Sequence, residues 1–317
     1  MIVTLTPNPS VDRTVSITDL QRGEVQRATA SRIDPGGKGV NISRALTAHH
    51  ARTLAVLPAG GPQGHLLAEL LAEAGIEVAI VPIADSIRAN LALVEPDGTT
   101  TKINEPGPLL SGSELAALLA GAVATLAQQP SWLVGSGSLP PGVDDDLYAG
   151  LVRRCRDAGV KVAIDASGPA LRHAVAAGPD LIKPNLEELE ELVDRSLDTL
   201  ADVLAASVEV LSHHGVATVV VSLGRYGALL VTASLCAFAV APVSSPLSTV
   251  GAGDALLAGY LYATGNGSTA VDALCTGVAW GAAAVSLPGS RMPTPADVAG
   301  IQVSVTSEPD LTLRLKN

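Results

Sequence analysis

An aspartate placed behind two glycines, at the head of an apolar run, is the arrangement in this 317-residue chain best suited to chemistry. Thr249-Val250-Gly251-Ala252-Gly253-Asp254 leads straight into Ala255-Leu256-Leu257-Ala258-Gly259-Tyr260-Leu261. The pattern predicts a loop opening into a helix, whose first N–H groups lack an intrahelical partner and whose dipole attracts anions. A carboxylate there would repel a phosphate, so Asp254 fits a base that takes a proton from a hydroxyl. The same string also fits Asp254 as a helix N-cap.

A second glycine-rich loop, Gly36-Gly37-Lys38-Gly39-Val40-Asn41, also precedes a helical pattern. Glycines allow close backbone approach and Lys38 carries a mobile point charge. Gly37, Lys38 and Asn41 are therefore candidates for contact with substrate hydroxyls or a phosphate, although a tight turn with a surface lysine has the same composition. The spacing is not that of a P-loop, and neither Ser nor Thr follows Lys38. In Lys183-Pro184-Asn185-Leu186-Glu187-Glu188, Pro184 suits a helix start and Asn185 and Glu188 share one face of the first turn. Their oxygens could hold the hydration shell of Mg²⁺, or could form a capping box. Asp165, after Val162-Ala163-Ile164, is a further candidate outer-shell oxygen.

Ser222-Leu223-Gly224-Arg225-Tyr226-Gly227 lies between two apolar runs and fits either a plain hairpin or the floor of a nucleotide site. Gly135-Ser136-Gly137-Ser138-Leu139-Pro140-Pro141-Gly142 starts like a dinucleotide fingerprint, but Pro140 takes the third glycine position, which argues against a dehydrogenase. Ser138 remains a donor for a substrate oxygen. The pairs His49-His50 and His213-His214 do not face each other on a helix and make poor metal sites.

These groups must be positioned by alternating strands and helices. Apolar runs at 2–5, 53–57, 132–134, 160–164, 180–182 and 218–221 predict strands. Helical patterns cover 41–50, 65–74, 113–128, 147–158, 186–193 and 254–264. Strands apolar on both faces predict a mostly parallel sheet inside a three-layer α/β fold, with ligands at the carboxyl ends of the strands. Residues 11–35 and 88–104 alternate polar and apolar instead, with an Asp97-Gly98 turn, and predict a small β-sheet lid or dimer clasp. We expect one domain over 1–317, with a polar tail beyond Arg291 that carries little information.

Hydrophobic residues make up 47% of the chain and aromatics 2%, so the core is built of Ala, Val and Leu. A net charge of −11 with so few aromatics argues against a nucleic-acid surface. Three scattered cysteines, Cys155, Cys236 and Cys275, form no CxxC pair and favour a reducing compartment. The N-terminus reads as a strand rather than a signal peptide, and no apolar run is long enough to span a bilayer. The expectation is a cytoplasmic protein with neither nucleic-acid nor membrane partners.

Taken together and in order, Asp12, Gly-Gly-Lys-Gly-x-Asn at 36–41, Lys-Pro-Asn-x-x-Glu at 183–188 and Gly-Ala-Gly-Asp at 251–254 resemble the PfkB carbohydrate kinase family of the ribokinase-like fold, over about residues 1–295. The opening Thr4-Leu5-Thr6-Pro7-Asn8-Pro9-Ser10-Val11-Asp12 looks like its hexose-phosphate branch. The resemblance implies an ATP-dependent phosphotransferase with an alcohol acceptor. Its favoured reaction is fructose 1-phosphate to fructose 1,6-bisphosphate. Tagatose-6-phosphate kinase and minor 6-phosphofructokinase are the alternatives, and a non-catalytic sugar-phosphate sensor is a remote one.

By the same resemblance, Asp254 is the base, and the amides of Gly251, Ala252 and Gly253 stabilise the transferring phosphoryl group. Asp12 and Asn41 orient sugar hydroxyls, while Lys38 and Arg88, with Gly37 and Ser138, hold the substrate and its phosphate. Lys183, Asn185, Ser222, Gly224 and Gly227 line the ATP site, and Glu188 retains Mg²⁺ through water. Lys102 lies near a position where some members carry an arginine. The lid is expected to exclude water and to join two copies in a homodimer.

Overall fold

A computed structural model of the chain describes residues 1–316. The first half contains β1 (Ile2–Leu5), β2 (Ser10–Ser16), β3 (Ala30–Gly36), α1 (Lys38–Ala48), β4 (Thr53–Ala59), α2 (Gly61–Glu73), β5 (Glu77–Pro82), β6 (Arg88–Val94), β7 (Thr100–Asn104), α3 (Gly112–Ala124) and β8 (Trp132–Ser136). The second half contains α4 (Leu147–Asp157), β9 (Val162–Asp165), α5 (Gly168–Ala176), β10 (Leu181–Ile182), α6 (Leu186–Val193), α7 (Leu200–His214), β11 (Thr218–Ser222), β12 (Ala228–Thr232), β13 (Cys236–Val240), α8 (Ala252–Gly265), α9 (Ala270–Val285), α10 (Pro295–Val298) and β14 (Ser304–Thr306).

Ten strands form one sheet in the order β14-β13-β12-β11-β10-β9-β8-β1-β4-β5. From β5 to β11 every pairing is parallel, whereas β12, β13 and β14 continue antiparallel at one edge. Burial on both faces explains the nearly unbroken apolar strands. Along β1, Val3 and Leu5 join the cluster under α3, α4, α5 and α7, while Ile2 joins the opposite cluster with α1, α8 and α9. Val219 and Val221 again face one layer and Val220 the other. The expected three-layer α/β fold is what these residues build.

The chain leaves β1 toward β4 on one side and later places β8 on the other. The carboxyl ends of β1 and β8 therefore flank a topological switch point, where open α/β sheets bind ligands. α1 enters this crevice because residue 39 lacks a side chain. A Cβ on Gly39 would sit 2.3 Å from Thr6 Oγ1 and 2.8 Å from Ser136 Oγ.

The second, smaller sheet has the order β3-β2-β6-β7, and its strands come from the two segments in which polar and apolar residues alternate. Asp12 lies opposite Asp34 and Asn90, and Ser10 opposite Gly36 and Arg88, so one lid face carries these polar groups. The other face carries Val15, Ile33, Leu91, Leu93 and Ile103, because side chains alternate along a strand.

The tail is a correction. Beyond Arg291 it adds α10 and pairs β14 with β13. Leu315 is buried in the main core, and Lys316 bonds Glu190 of α6 and Ser196 beyond it. Isolated apolar residues at the end of a polar stretch give no periodic pattern, so this clasp was invisible in the sequence.

Candidate active site

α8 begins at Ala252, and Gly251 is its N-cap in a left-handed conformation (φ 79°), which glycine adopts without steric cost. The capping alternative for Asp254 is thereby corrected, since Gly251 holds the cap position and Asp254 is the third helical residue. Its side chain turns to Asn41 of α1, whose Nδ2 donates to Oδ2 at 2.8 Å. Asp254 is buried, and its carboxyl is pushed up to about 6 by that burial and by the nearby negative charge of Asp165, against the pull of Lys38, Asn41 and Lys183. Such a group is ionised at neutral pH yet basic enough to accept a proton. The first-turn amides have no partner within the helix, and Ala252 N–H reaches Thr249 O only at 3.4 Å.

Beside this helix start lies a group of ion pairs drawn from four elements. Asp165, at the end of β9 and fully buried, receives Lys38 Nζ at 2.8 Å on Oδ1 and faces Lys183 Nζ at 3.2 Å on Oδ2. Lys38 Nζ also reaches Glu188 Oε1 at 3.1 Å. Burial disfavours an ammonium at Lys38, but Asp165 and Glu188 more than offset it and hold the group well above the usual lysine range. Burial likewise disfavours the Asp165 carboxylate, and the two lysines overcome it and keep the carboxyl below its ordinary range. Lys183 Nζ lies 3.4 Å from the point where a Cβ on Gly253 would stand, so the cluster abuts the amides of α8.

Asn185 and Glu188 do form a capping box. Asn185 Oδ1 accepts from Glu188 N at 2.7 Å, and Asn185 N donates to Glu188 Oε2 at 2.9 Å. This leaves Glu188 Oε1 for Lys38, so cap and charge cluster share one carboxylate. Ser222 is tied to the same loop, its N–H bonding Pro184 O at 3.0 Å. The segment after it is both turn and hairpin: Gly224–Tyr226 makes a short 3₁₀ turn, closed by Leu223 N–H to Gly227 O at 2.8 Å, between antiparallel β11 and β12.

A second group forms at the base of the lid. Asp12 Oδ1 accepts from Ser10 Oγ at 2.7 Å and Asn90 Nδ2 at 2.9 Å. Arg88 donates to Asn8 O at 3.0 Å and Glu105 O at 3.2 Å, and its Nε is buried without a partner among the described residues. Asn8 Nδ2 bonds Pro106 O at 3.0 Å and Ser138 Oγ at 3.3 Å, linking Ser138 to Arg88. Gly37, the N-cap of α1, packs on Thr6 and Pro9. The structure thus brings Lys38, Asn41, Asp165, Lys183, Asn185, Glu188 and Asp254 into one cluster, and Asp12, Arg88 and Ser138 into another. Lys38 points to the carboxylates rather than to the Arg88 group. Lys102 lies with Thr100 of β7 beside the loop Pro246–Val250, across a cavity of about 390 Å³.

Polar residues in or beside these clusters that the motifs did not single out include Asn8, Ser10, Asp34, Arg44 and Asn90. Asn90 lies two residues after Arg88 on the same strand face, and Arg44 lies three after Asn41 on α1, so spacing alone could have flagged both. No group of three or more His, Cys, Asp or Glu side chains converges as a metal cage among the described residues. No helix among them is long and apolar enough to cross a membrane.

The sequence profile of the pfkB family carbohydrate kinases matches residues 6–297. A 1-phosphofructokinase of Rhodobacter capsulatus is 36% identical over 96% of this chain and 96% of its own length. The crystal structure of phosphofructokinase-2 from Escherichia coli in complex with fructose-6-phosphate superposes with a TM-score of 0.86 at 33% identity, covering 94% of this chain and 96% of that one. Ribokinase from Thermotoga maritima shares the fold, with a TM-score of 0.75 at 20% identity over 94% of this chain and 98% of that one. With its two glycine-rich loops meeting at one buried aspartate, the chain belongs to the pfkB family of carbohydrate kinases.

Proposed function

We propose that this kinase transfers the terminal phosphoryl group of ATP to fructose 1-phosphate, forming fructose 1,6-bisphosphate. The observation that carries the chemistry is Asp254: a buried carboxylate with a raised pKa, inside an open helix N-terminus, oriented by Asn41. Asp254 accepts the proton of the acceptor hydroxyl, and the amides of Gly251, Ala252 and Gly253 stabilise charge on the group in transfer. Asp12 and Asn41 hold sugar hydroxyls, with Asn90 keeping the Asp12 carboxylate in place. Arg88 and Ser138 take the sugar phosphate. Lys183, Asn185, Ser222, Gly224 and Gly227 line the nucleotide side. We assign Lys38 to the phosphoryl-transfer side with Asp165 and Glu188, in place of the sugar-phosphate role that its loop first implied. The choice of fructose 1-phosphate draws support from the likeness to the Rhodobacter enzyme along nearly all of both chains.

The donor set suits Mg²⁺ held through water. Glu188 and Asp165 supply hard oxygens, but each is already engaged by lysine, so direct ligands must come chiefly from nucleotide phosphates and water. When bound, the ion neutralises charge on the phosphates. We also infer a cytoplasmic homodimer joined through the lid. The lid face turned away from Asp12 carries Val15, Leu91, Leu93 and Ile103, and Ile103 is 55% exposed.

An ADP-release assay on fructose 1-phosphate, fructose 6-phosphate, tagatose 6-phosphate and ribose tests the substrate. The highest kcat/KM belongs to fructose 1-phosphate, and a higher value for any of the others overturns the choice. In the same assay Arg88→Ala raises KM for the sugar phosphate about 10- to 100-fold, the loss of a hydrogen bond to a charged group. An unchanged KM would remove Arg88 from the phosphate pocket.

A further inference from the structure

A continuous hydrogen-bonded line runs from the lid to Asp254. Arg32 of β3 donates to Asp34 Oδ1 at 2.7 and 3.0 Å. Arg44 of α1 reaches the same oxygen at 3.5 Å through Nη2, while its Nη1 donates to Asn41 Oδ1 at 3.0 Å, Pro35 O at 3.1 Å and Ser290 Oγ at 3.4 Å. Asn41 Nδ2 then donates to Asp254 at 2.8 Å. The Arg44 side chain is 11% exposed and that of Asp34 7%.

A carboxamide can turn either its oxygen or its NH₂ toward a neighbour, and only the NH₂ can donate to a carboxylate. A guanidinium can only donate, so Arg44 on the far side of Asn41 draws the amide oxygen to itself and leaves the NH₂ for Asp254. A lysine offers one compact charge and cannot fork to Pro35, Asn41 and Asp34 together.

We propose that Arg44 is a positioning residue for Asp254: it locks Asn41 in the sense in which its amide donates to the carboxylate, and Asp34 anchors that lock to lid strand β3. This rests on Asp254 being the base. The charged groups around Asp254 are Asp165, Lys38, Lys183 and Arg44, and those around Arg44 are Asp34, Arg32, Asp12 and Asp254.

Steady-state kinetics of Arg44→Met and Arg44→Lys across pH 5–9, with thermal melts, test the proposal. Arg44→Met lowers kcat about tenfold or more. It also moves the acid limb of kcat/KM to higher pH, because a fixed donor and a positive charge beside the carboxylate are both lost. The Kd for ATP stays within about twofold. Arg44→Lys keeps the limb near its wild-type position but recovers only part of kcat. A scaffold role alone would lower the melting temperature without moving the limb, and that result overturns the proposal. So does wild-type kcat in Arg44→Met. Should that variant fail to melt cooperatively, Arg44→Lys carries the test alone, with a threefold or greater fall in kcat expected and wild-type kcat contradicting it. Full turnover in Asp254→Asn would sink the base itself. An inactive Asp254→Asn beside a normal Arg44→Met would sink only the relay.

Discussion

Asp254→Asn yields a folded protein that binds sugar phosphate and ATP but turns over roughly 10²–10⁴ times more slowly. Asparagine keeps the shape and can still accept the hydrogen bond from Asn41, yet it cannot take a proton at neutral pH. The loss should therefore fall on kcat and leave KM within a few-fold. In the unaltered enzyme kcat/KM declines as pH falls through about 6, where the Asp254 carboxylate takes up a proton. The same shift has a stability consequence of opposite sense. A carboxyl raised in the fold from 3.8 to about 6 favours the folded state when protonated, so its contribution is full below pH 4 and is lost as pH rises to about 6. At pH 7.5 the substitution removes a penalty of about 2–3 kcal/mol, and the melting temperature should stay level or rise. Near-normal kcat in this variant would eliminate Asp254 as the base.

Lys183→Met produces the largest fall in stability. Asp165 is fully buried and depends on Lys183 at 3.2 Å and on Lys38, which is shared with Glu188. Removing one partner of a buried pair leaves an uncompensated charge and typically costs about 3–5 kcal/mol. For a chain of this size that corresponds to a melting temperature lower by roughly 4–8 °C. The Asp165 carboxyl is held below its ordinary range, so its contribution is present above that range and disappears as pH falls. In Lys183→Met the acid-side loss should begin at higher pH. Adding Asp165→Asn removes the stranded charge and should restore at least half of the lost melting temperature. A single variant melting within 2 °C of the unaltered protein would show that Lys183 does not compensate Asp165 in the fold.

The parallel part of the sheet was readable from composition because burial on both faces demands apolar residues at nearly every strand position. Ile2–Leu5 and Leu186–Val193 even matched their expected bounds. The antiparallel edge was harder: β14 has three exposed residues, and its pairing with β13 is set by tertiary contact rather than local pattern. At the site, glycines and charged residues at strand ends marked the loops, because few other functions need that combination. What the loops do to one another was hidden. Nothing in Gly-Gly-Lys-Gly says that Lys38 reaches Asp165, 127 residues away, and nothing in Asn-x-x-Glu says that one carboxylate serves both a cap and a lysine. Arg44 escaped for a related reason. On α1 it reads as a surface cation, and only the return of β3 with Asp34 and the approach of Ser290 bury it.

The most direct measurement is the crystal structure of the enzyme with sugar phosphate and a non-hydrolysable ATP analogue. Asp254 should place a carboxylate oxygen about 2.6–3.2 Å from the acceptor hydroxyl, with the N–H groups of Gly251, Ala252 and Gly253 turned to the terminal phosphate. A ternary complex in which that carboxylate points away from the hydroxyl, with another side chain in hydrogen-bond reach of its proton, would contradict the role given to Asp254.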